Sequence, residues 1–283
     1  MSTHAPEAPR RTGASPKAST RWWRFFLLAL FTAVVLVPLG AVMLLALRPR
    51  VGSGDSGLTL NTLWYVLTQT EAVTWLGNSV LAALISTTAA VLVAAPAGYV
   101  LSRGRGKAVS GYSLLLFVIQ AFPVVVFVVP LFILFADLGL ADSIAGLTIV
   151  YVASTMSVAC WMMASYMDSI PASLEEAAWI DGCSVFGGFV KIVLRNSLPG
   201  VLSTAIFSFL LAWNDYLVAL VFLRSADRFT LPVGLQTFFQ QNTTDWGPVM
   251  SVAVLMMIPP ILVFATLNKF FSVGGIGGSL AGQ

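Results

Sequence analysis

The chain has 283 residues, of which 58% are apolar and 10% charged, with a net charge of +3, a pI near 9.0 and a mean hydropathy of +0.88. Soluble domains run near half apolar and a quarter charged, so this composition excludes an ordinary soluble enzyme and points to an all-α integral membrane protein. With roughly 20–25 residues to a span and the remainder left for tails and connections, about six spans fit, and the positive balance reads as basic cytoplasmic loops rather than a nucleic-acid surface.

The single histidine, His4, and the two cysteines, Cys160 and Cys183, supply no zinc ligand set. Cys160 falls in an apolar run and Cys183 in a polar loop, so no disulfide is expected between them. No phosphate-binding G-x-x-x-x-G-K-[ST] occurs; before Gly106-Lys107 the first-glycine position holds Leu101. No cofactor is therefore expected on this chain.

Residues 1–20 are rich in Pro, Ala, Ser and Thr and read as a disordered tail; Arg10-Arg11 has no directly following apolar stretch of the twin-arginine kind. The first apolar run, 25–47, exceeds the roughly 7–15 residues of a signal-peptide core, which favours an uncleaved anchor. Five further runs follow at 77–101, 112–135, 144–166, 199–223 and 247–271. Pro123, Pro130, Pro259 and Pro260 lie inside them and predict kinks whose freed carbonyls find other partners.

Six crossings put both termini on one side. That side collects Arg10, Arg11, Lys17, Arg21, Arg24, Arg103, Arg105, Lys107, Lys191, Arg195 and Lys269, against Arg48, Arg50, Arg224 and Arg228 opposite. The positive-inside rule makes it the cytoplasm. No internal repeat is evident, which counts against secondary transporters built from paired repeats.

The long cytoplasmic connection, 167–198, carries the most information. Ser173 stands where it can cap a short helix over 173–181, with Glu176 at the reciprocal capping-box position, and Gly182 can end that helix in a left-handed turn. A 100° wheel groups Leu174, Ala177, Ala178 and Asp181, a flat face that another protein can approach closely. A second amphipathic stretch spaces Phe186, Phe189, Val190 and Val193 to lie against the membrane or the bundle. These residues alone leave two readings: a re-entrant surface helix in which Glu176 only caps, or a docking knob that conveys force from a soluble partner.

The spacing Glu176-Ala177-Ala178-x-x-x-Gly182-x9-Ile192-x-Leu194 resembles the EAA loop of permease subunits in binding-protein-dependent ABC importers. More narrowly, "IPASLEEAAWIDG" resembles the carbohydrate-uptake class, the MalG-like group that contains the maltose permease subunit. "NSVLAALIST" (78–87), "AGYVLSRGRGK" (97–107), "GLADSIAGLTIVY" (139–151), "AWNDYL" (212–217) and "TLPVGLQTF" (230–238) resemble it in order and spacing, so the likeness covers roughly 25–275. Arg195 stands where the family usually has proline, which would lengthen the second helix of the knob by restoring a backbone donor. The tail from 276 onward resembles the class's glycine-rich end only loosely and lacks its usual basic residue.

The resemblance implies a type I ABC importer permease fold of six transmembrane helices with a cytoplasmic coupling-helix loop. It also implies a bacterial inner-membrane location, with no nucleic acid among the partners and the bilayer as solvent. The partners implied are two cytoplasmic ATPase subunits that bind ATP and Mg, a second and different permease subunit, and an extracytoplasmic solute-binding protein. Glu176 would pair with a basic residue of an ATPase cleft, Ala177 and Ala178 would permit close approach, Asp181 would share their face, and Gly182 would allow the turn. The chain itself would be no enzyme. The class carries mono-, di- and oligosaccharides, polyols and sugar phosphates.

Asp215, beside Trp213 and Asn214, is the ionisable residue placed well inside a predicted span, where a carboxylate is costly and reads by default as functional. "WND" resembles a shared family pattern while solutes differ across the class, which favours a structural hydrogen bond. Trp161, Tyr166, Trp213, Tyr216, Gln120 and Asn78 are candidate pathway liners, although tryptophans also populate interfacial belts. The Arg103-to-Lys107 loop reads as topology-setting charge, with anionic lipid or the ATPase as the alternative. The external loop 224–246 is either a binding-protein contact or plain solvated chain. A secondary transporter or channel, and a membrane scaffold without a transport role, are the readings from other classes.

Overall fold

The computed structural model describes residues 18–54, 56–239 and 244–280. Of the segment read as a disordered tail, 1–17 lie outside the described residues and 18–20 already belong to a helix; at the other end 281–283 lie outside them.

Among the described residues the structure is helical, without strands. In chain order the helices are α1 (Ala18–Ala46), α2 (Asn61–Gln69), α3 (Ala72–Arg103), α4 (Lys107–Ala121), α5 (Val124–Asp137), α6 (Ile144–Asp168) and α7 (Ser173–Ile180). They continue as α8 (Val185–Gly188), a π-helical turn at Phe189–Val193, α9 (Leu194–Asn196), α10 (Leu198–Trp213), α11 (Leu217–Phe222), α12 (Leu231–Leu235) and α13 (Trp246–Leu280). Among the described residues four helices are long and apolar enough to cross a membrane, or up to six spans when the bent pairs α4–α5 and Val185–Asn196 with α10 each count once. We call the end that carries α7–α9 the knob end and the opposite end the far end.

Two expected spans are interrupted. The run at 112–135 breaks by 93° between α4 and α5, because Phe122, which precedes Pro123, is forced into an extended conformation (φ −89°, ψ 125°). Pro130, Pro259 and Pro260 remain inside helices. The run at 199–223 stops at Trp213 and restarts at Leu217. There the Asp215 carboxylate accepts the Val218 and Ala219 amides at 3.4 and 3.0 Å, capping the first turn of a new helix, α11. The tail expected from 276 onward continues α13 as far as Leu280.

Close packing centres on α3, which lies against α6 and α10. Its buried face is a stripe of small residues at helical spacing: Ser79, Ala82, Ser86, Ala90, Ala94 and Gly98. Lipid supplies no hydrophobic drive between helices, so association depends on backbones approaching closely across such residues. At Gly98 the approach is extreme, for a Cβ there would sit 2.6 Å from Met163 Cβ and 2.9 Å from the Ala164 amide nitrogen.

The core falls into two main clusters. The far-end one joins Phe135, Leu147, Tyr151, Phe209, Trp213 and Phe222; the knob-end one joins Ala94, Ala159, Cys160, Met163, Met167, Phe189 and Val193. Cys160 is buried there as a free thiol, and Cys183 is free as well. Trp213 is 2% exposed, stacks on Phe209 and donates its Nε1–H to the Met256 carbonyl of α13 at 3.1 Å. By contrast α1 buries none of its apolar window and packs chiefly on α13, with the Ser251 hydroxyl bonded to the Ala46 carbonyl at 3.2 Å.

Candidate functional site

The knob is built by α7, α8, the π turn and α9. The α7 helix starts one residue earlier than a Ser173 cap requires: Ala172 occupies the capping position, no side chain caps it, and Ser173 is the first helical residue. The capping-box reading of Ser173 and Glu176 is therefore replaced by a bare start. The other end follows the expectation. Gly182 has φ +86°, the Cys183 amide bonds to the Ala178 carbonyl at 2.9 Å and the Gly182 amide to the Trp179 carbonyl at 3.0 Å. This double closure requires a left-handed residue, which glycine adopts at least cost. After the turn, Ser184 caps α8 by accepting the Gly187 amide at 3.1 Å.

Two neighbouring glutamates face opposite ways. Glu176 is exposed, as are Ala177, Asp181 and Gly182, with Ala178 half-buried. Glu175 is 1% exposed and turned into the protein, where its Oε1 accepts Arg103 Nε at 2.7 Å and its Oε2 accepts the Tyr99 hydroxyl at 2.9 Å. Arg103 also donates to the Ile170 carbonyl at 2.7 Å, and the adjacent Ser102 hydroxyl donates to Asp168 at 2.5 Å. Sequence reasoning missed this cluster. The sequence shows Glu175 only as a second acidic residue in the first turn of α7, and its cation lies 72 residues away.

The second amphipathic stretch, expected to lie against the membrane or the bundle, meets the bundle with only half of its apolar residues. Phe189 and Val193 are buried, with the Phe189 ring 4.9 Å from that of Tyr99, but Phe186 is 74% exposed and Val190 is exposed as well. The π turn adds a residue to the repeat and rotates Val190 away from Phe189 and Val193, while the exposed Phe186 ring stays beside that of Phe189, 6.3 Å away. With Ile180 at 86% exposure, Phe186 leaves the outer surface of the knob apolar and uncovered.

Most of the candidate liners have hydrogen-bond or ring partners, although Asn214 and Trp161 remain exposed. Asn78 Nδ2 donates to the Asp227 and Phe229 carbonyls at 2.9 and 3.0 Å, and Asn214 Nδ2 donates to the Leu210 carbonyl at 2.9 Å. The Tyr166 ring lies on Gly200, the Tyr216 hydroxyl donates to Gln236, and Trp161 stacks on Phe117. Asp215 accepts the Tyr151 hydroxyl at 2.8 Å in addition to the two α11 amides. It also borders an open groove of about 740 Å³ between α4–α5, α6 and α10, together with Gln120, Phe122, Tyr151 and Ser154. The structure thus brings Asp215 and Gln120 to one groove and leaves Trp213, Asn214, Asn78, Trp161, Tyr166 and Tyr216 outside its lining.

At the far end, Asp142 organises the 224–228 segment. It sits at φ +50° just before α6, and its carboxylate accepts the Arg224 and Ser225 amides at 2.8 and 3.1 Å and the Ser225 hydroxyl at 2.5 Å. Partial burial alone would raise its pKa, but the Ser225 hydroxyl, the two amides and the nearby Arg228 hold it below the usual carboxylate value of 3.8. Trp75 Nε1 donates to the Ala226 carbonyl at 2.7 Å, and the Leu231 amide to Ser79 Oγ at 2.7 Å. Among the described residues, no three metal-ligating side chains come together.

Residues 90–273 match the family described as "Binding-protein-dependent transport system inner membrane component", and the chain belongs to that family. It is similar to the inner membrane ABC transporter permease protein YcjP of Escherichia coli (strain K12), 34% identical over 72% of this chain and 73% of the relative. Similarity also extends to the sulfoquinovosyl glycerol transport system permease protein SmoH of Agrobacterium fabrum (strain C58), 34% identical over 74% of this chain and 73% of the relative. Among solved structures, the fold is similar to a chain of a bacterial ABC transporter involved in the import of the acidic polysaccharide alginate, with a TM-score of 0.75 and 21% identity over 91% of this chain and 99% of that one.

The protein is therefore a multi-pass permease subunit of an ABC importer with the type I permease fold, and the secondary-transporter reading is set aside. It is not itself an enzyme; ATP hydrolysis belongs to separate subunits of such importers.

Proposed function

We propose that this permease carries a carbohydrate or glycoside across a bacterial inner membrane, with the knob end and both termini in the cytoplasm. Support for the orientation comes from the basic residues gathered beside the knob, Arg103, Arg105, Lys107, Lys191 and Arg195. Support for the solute class comes from the glycoside named for the relative SmoH and from the MalG-like motifs.

The observation that carries the mechanism is the outward face of the knob. Glu176, Ala177, Ala178 and Asp181 stand beside the bare Ile180, and the Gly182 turn fixes α7 in place. On this reading the face seats in a cleft of one of two cytoplasmic ATPase subunits, which bind ATP and Mg, and Glu176 pairs with a basic residue there. A second, different permease subunit completes the path, and an extracytoplasmic binding protein delivers solute at the far end. The groove bordered by Gln120, Tyr151, Ser154 and Asp215 is this chain's share of the path, and its 740 Å³ lies in the range of small-molecule sites. ATP-driven closure of the ATPases displaces the knob and shifts the helices between two access states.

Proteoliposomes holding the complex purified through this chain, with ATP on the ATPase side, test the reading. Labelled mono-, di- and oligosaccharides and simple glycosides are offered with the binding protein. Uptake of one of them that requires ATP is the expected result; uptake that proceeds equally without ATP overturns the proposal.

A further inference from the structure

Helix α3 is fastened at both ends to the two surfaces that the proposed function assigns to partners. At its knob end, Tyr99 and Arg103 grip Glu175 of α7, Arg103 holds the Ile170 carbonyl just ahead of that helix, and the Tyr99 ring packs on Phe189 of the π turn. Both halves of the knob therefore bear on the last turn and a half of one helix. At its far end, Trp75, Asn78 and Ser79 bind four successive features of the opposite loop: the Ala226, Asp227 and Phe229 carbonyls and the Leu231 amide. Between these ends runs a helix of 32 residues, about 48 Å at 1.5 Å per residue, packed along its length by small residues against α6 and α10.

We propose that α3 is a connecting rod, and that the buried Glu175–Arg103–Tyr99 cluster is the joint through which movement of the knob reaches the 226–231 loop. The inference rests on the reading of the knob as the ATPase contact and adds Glu175, Arg103, Tyr99 and Asn78 as positioning residues. Glu176 and Glu175 then divide the work: the first faces outward to the partner, and the second fixes the docked helix to the rod. A buried carboxylate held by a guanidinium and a phenol has no freedom to slip, so a displacement of α7 carries Arg103 with it. Coupling between sites this far apart requires such a contiguous, stiff connection, and its proof is a measured coupling rather than proximity.

The test uses the complex that co-purifies with the chain in nanodiscs and needs no solute. In a Cys160→Ser, Cys183→Ser background, Asp227→Cys on the exposed far-end loop is labelled with an environment-sensitive maleimide fluorophore. The signal is compared with and without ATP plus vanadate. The parent complex is expected to show an ATP-dependent change. Glu175→Gln and, at the other joint, Asn78→Ala are expected to reduce its amplitude by roughly 2- to 30-fold while the ATPase still co-purifies and hydrolyses ATP.

Tyr99→Phe removes a single hydrogen bond and is expected to reduce the amplitude less, in the same direction. An undiminished response in Glu175→Gln or Asn78→Ala overturns the rod. If Glu175→Gln fails to accumulate, Tyr99→Phe decides, and an unchanged response there overturns it as well. A parent chain that brings down no ATPase contradicts the proposed function instead, so the two failures are distinct.

Discussion

Trp213 donates its indole N–H to the carbonyl of Met256 at 3.1 Å, and Met256 lies four residues before Pro260. Proline has no N–H to close the helical bond to that carbonyl, so α13 leaves the acceptor open and α10 fills it. The tryptophan of the "WND" sequence is thus a tie between two spans, placed where the kinked helix exposes its backbone.

Removing that tie has a defined cost. Trp213→Phe keeps the stack on Phe209 but loses the hydrogen bond, and is expected to lower stability by about 0.5–1.5 kcal/mol. Pro260→Ala restores a backbone donor to Met256, so the cost of Trp213→Phe should shrink in that background. Thermal unfolding of the four proteins in detergent gives the cycle, and strictly additive shifts would contradict the account.

Gly98 is the tightest point between α3 and α6. A methyl group there meets Met163 Cβ at 2.6 Å and backbone at 2.9 Å, neither of which is a flexible side-chain end. Gly98→Ala is expected to destabilise by roughly 1–3 kcal/mol, and Gly98→Leu to prevent accumulation in the membrane. Immunoblots of membrane fractions and detergent melting curves measure both.

The two glutamates should behave differently in the isolated permease. Glu176→Gln touches an exposed side chain and is expected to stay within about 0.5 kcal/mol of wild type. Glu175→Gln breaks a buried charge-assisted pair and should cost roughly 1.5–3 kcal/mol. Melting temperatures in detergent distinguish them, and equal shifts would place both carboxylates in the same environment.

Asp142 gives a pH dependence with a definite sign. Its folded pKa lies below 3.8, so it binds fewer protons folded than unfolded in that region. Its contribution to stability is fully present above the unfolded value and is lost as pH falls through the folded one. Melting temperature measured downward from pH 5 should drop less steeply in Asp142→Asn than in wild type, and Asp142→Asn should melt lower at pH 7, where it lacks the acceptor oxygen that binds the Ser225 hydroxyl.

Much of this was legible in the residues themselves. Six apolar runs announced the spans, and the turn at Gly182 followed from local chemistry because a left-handed closure depends on a few adjacent residues. Proline positions predicted that carbonyls would be freed, and the Met256 acceptor is one of them. What escaped depended on distance or on a changed period. Glu175 finds Arg103 through the fold, and no wheel drawn on α7 reveals that partner. The π turn at Phe189–Val193 turns Val190 outward from the buried Phe189 and Val193, with which a 3.6-residue pattern groups it. The break at Asn214–Tyr216 had a local sign, an aspartate three and four residues ahead of the amides it accepts, which an uninterrupted apolar run concealed.

The most direct measurement is affinity purification of the detergent-solubilised chain, wild type beside the knob variant Glu176→Arg at an exposed position, with the ATPase activity of each eluate recorded. Wild type is predicted to bring down an ABC ATPase, and the variant, present in equal amount and melting near the wild-type temperature, to lose it. A variant that retains the ATPase at wild-type stoichiometry would contradict the assignment of the knob as the coupling surface.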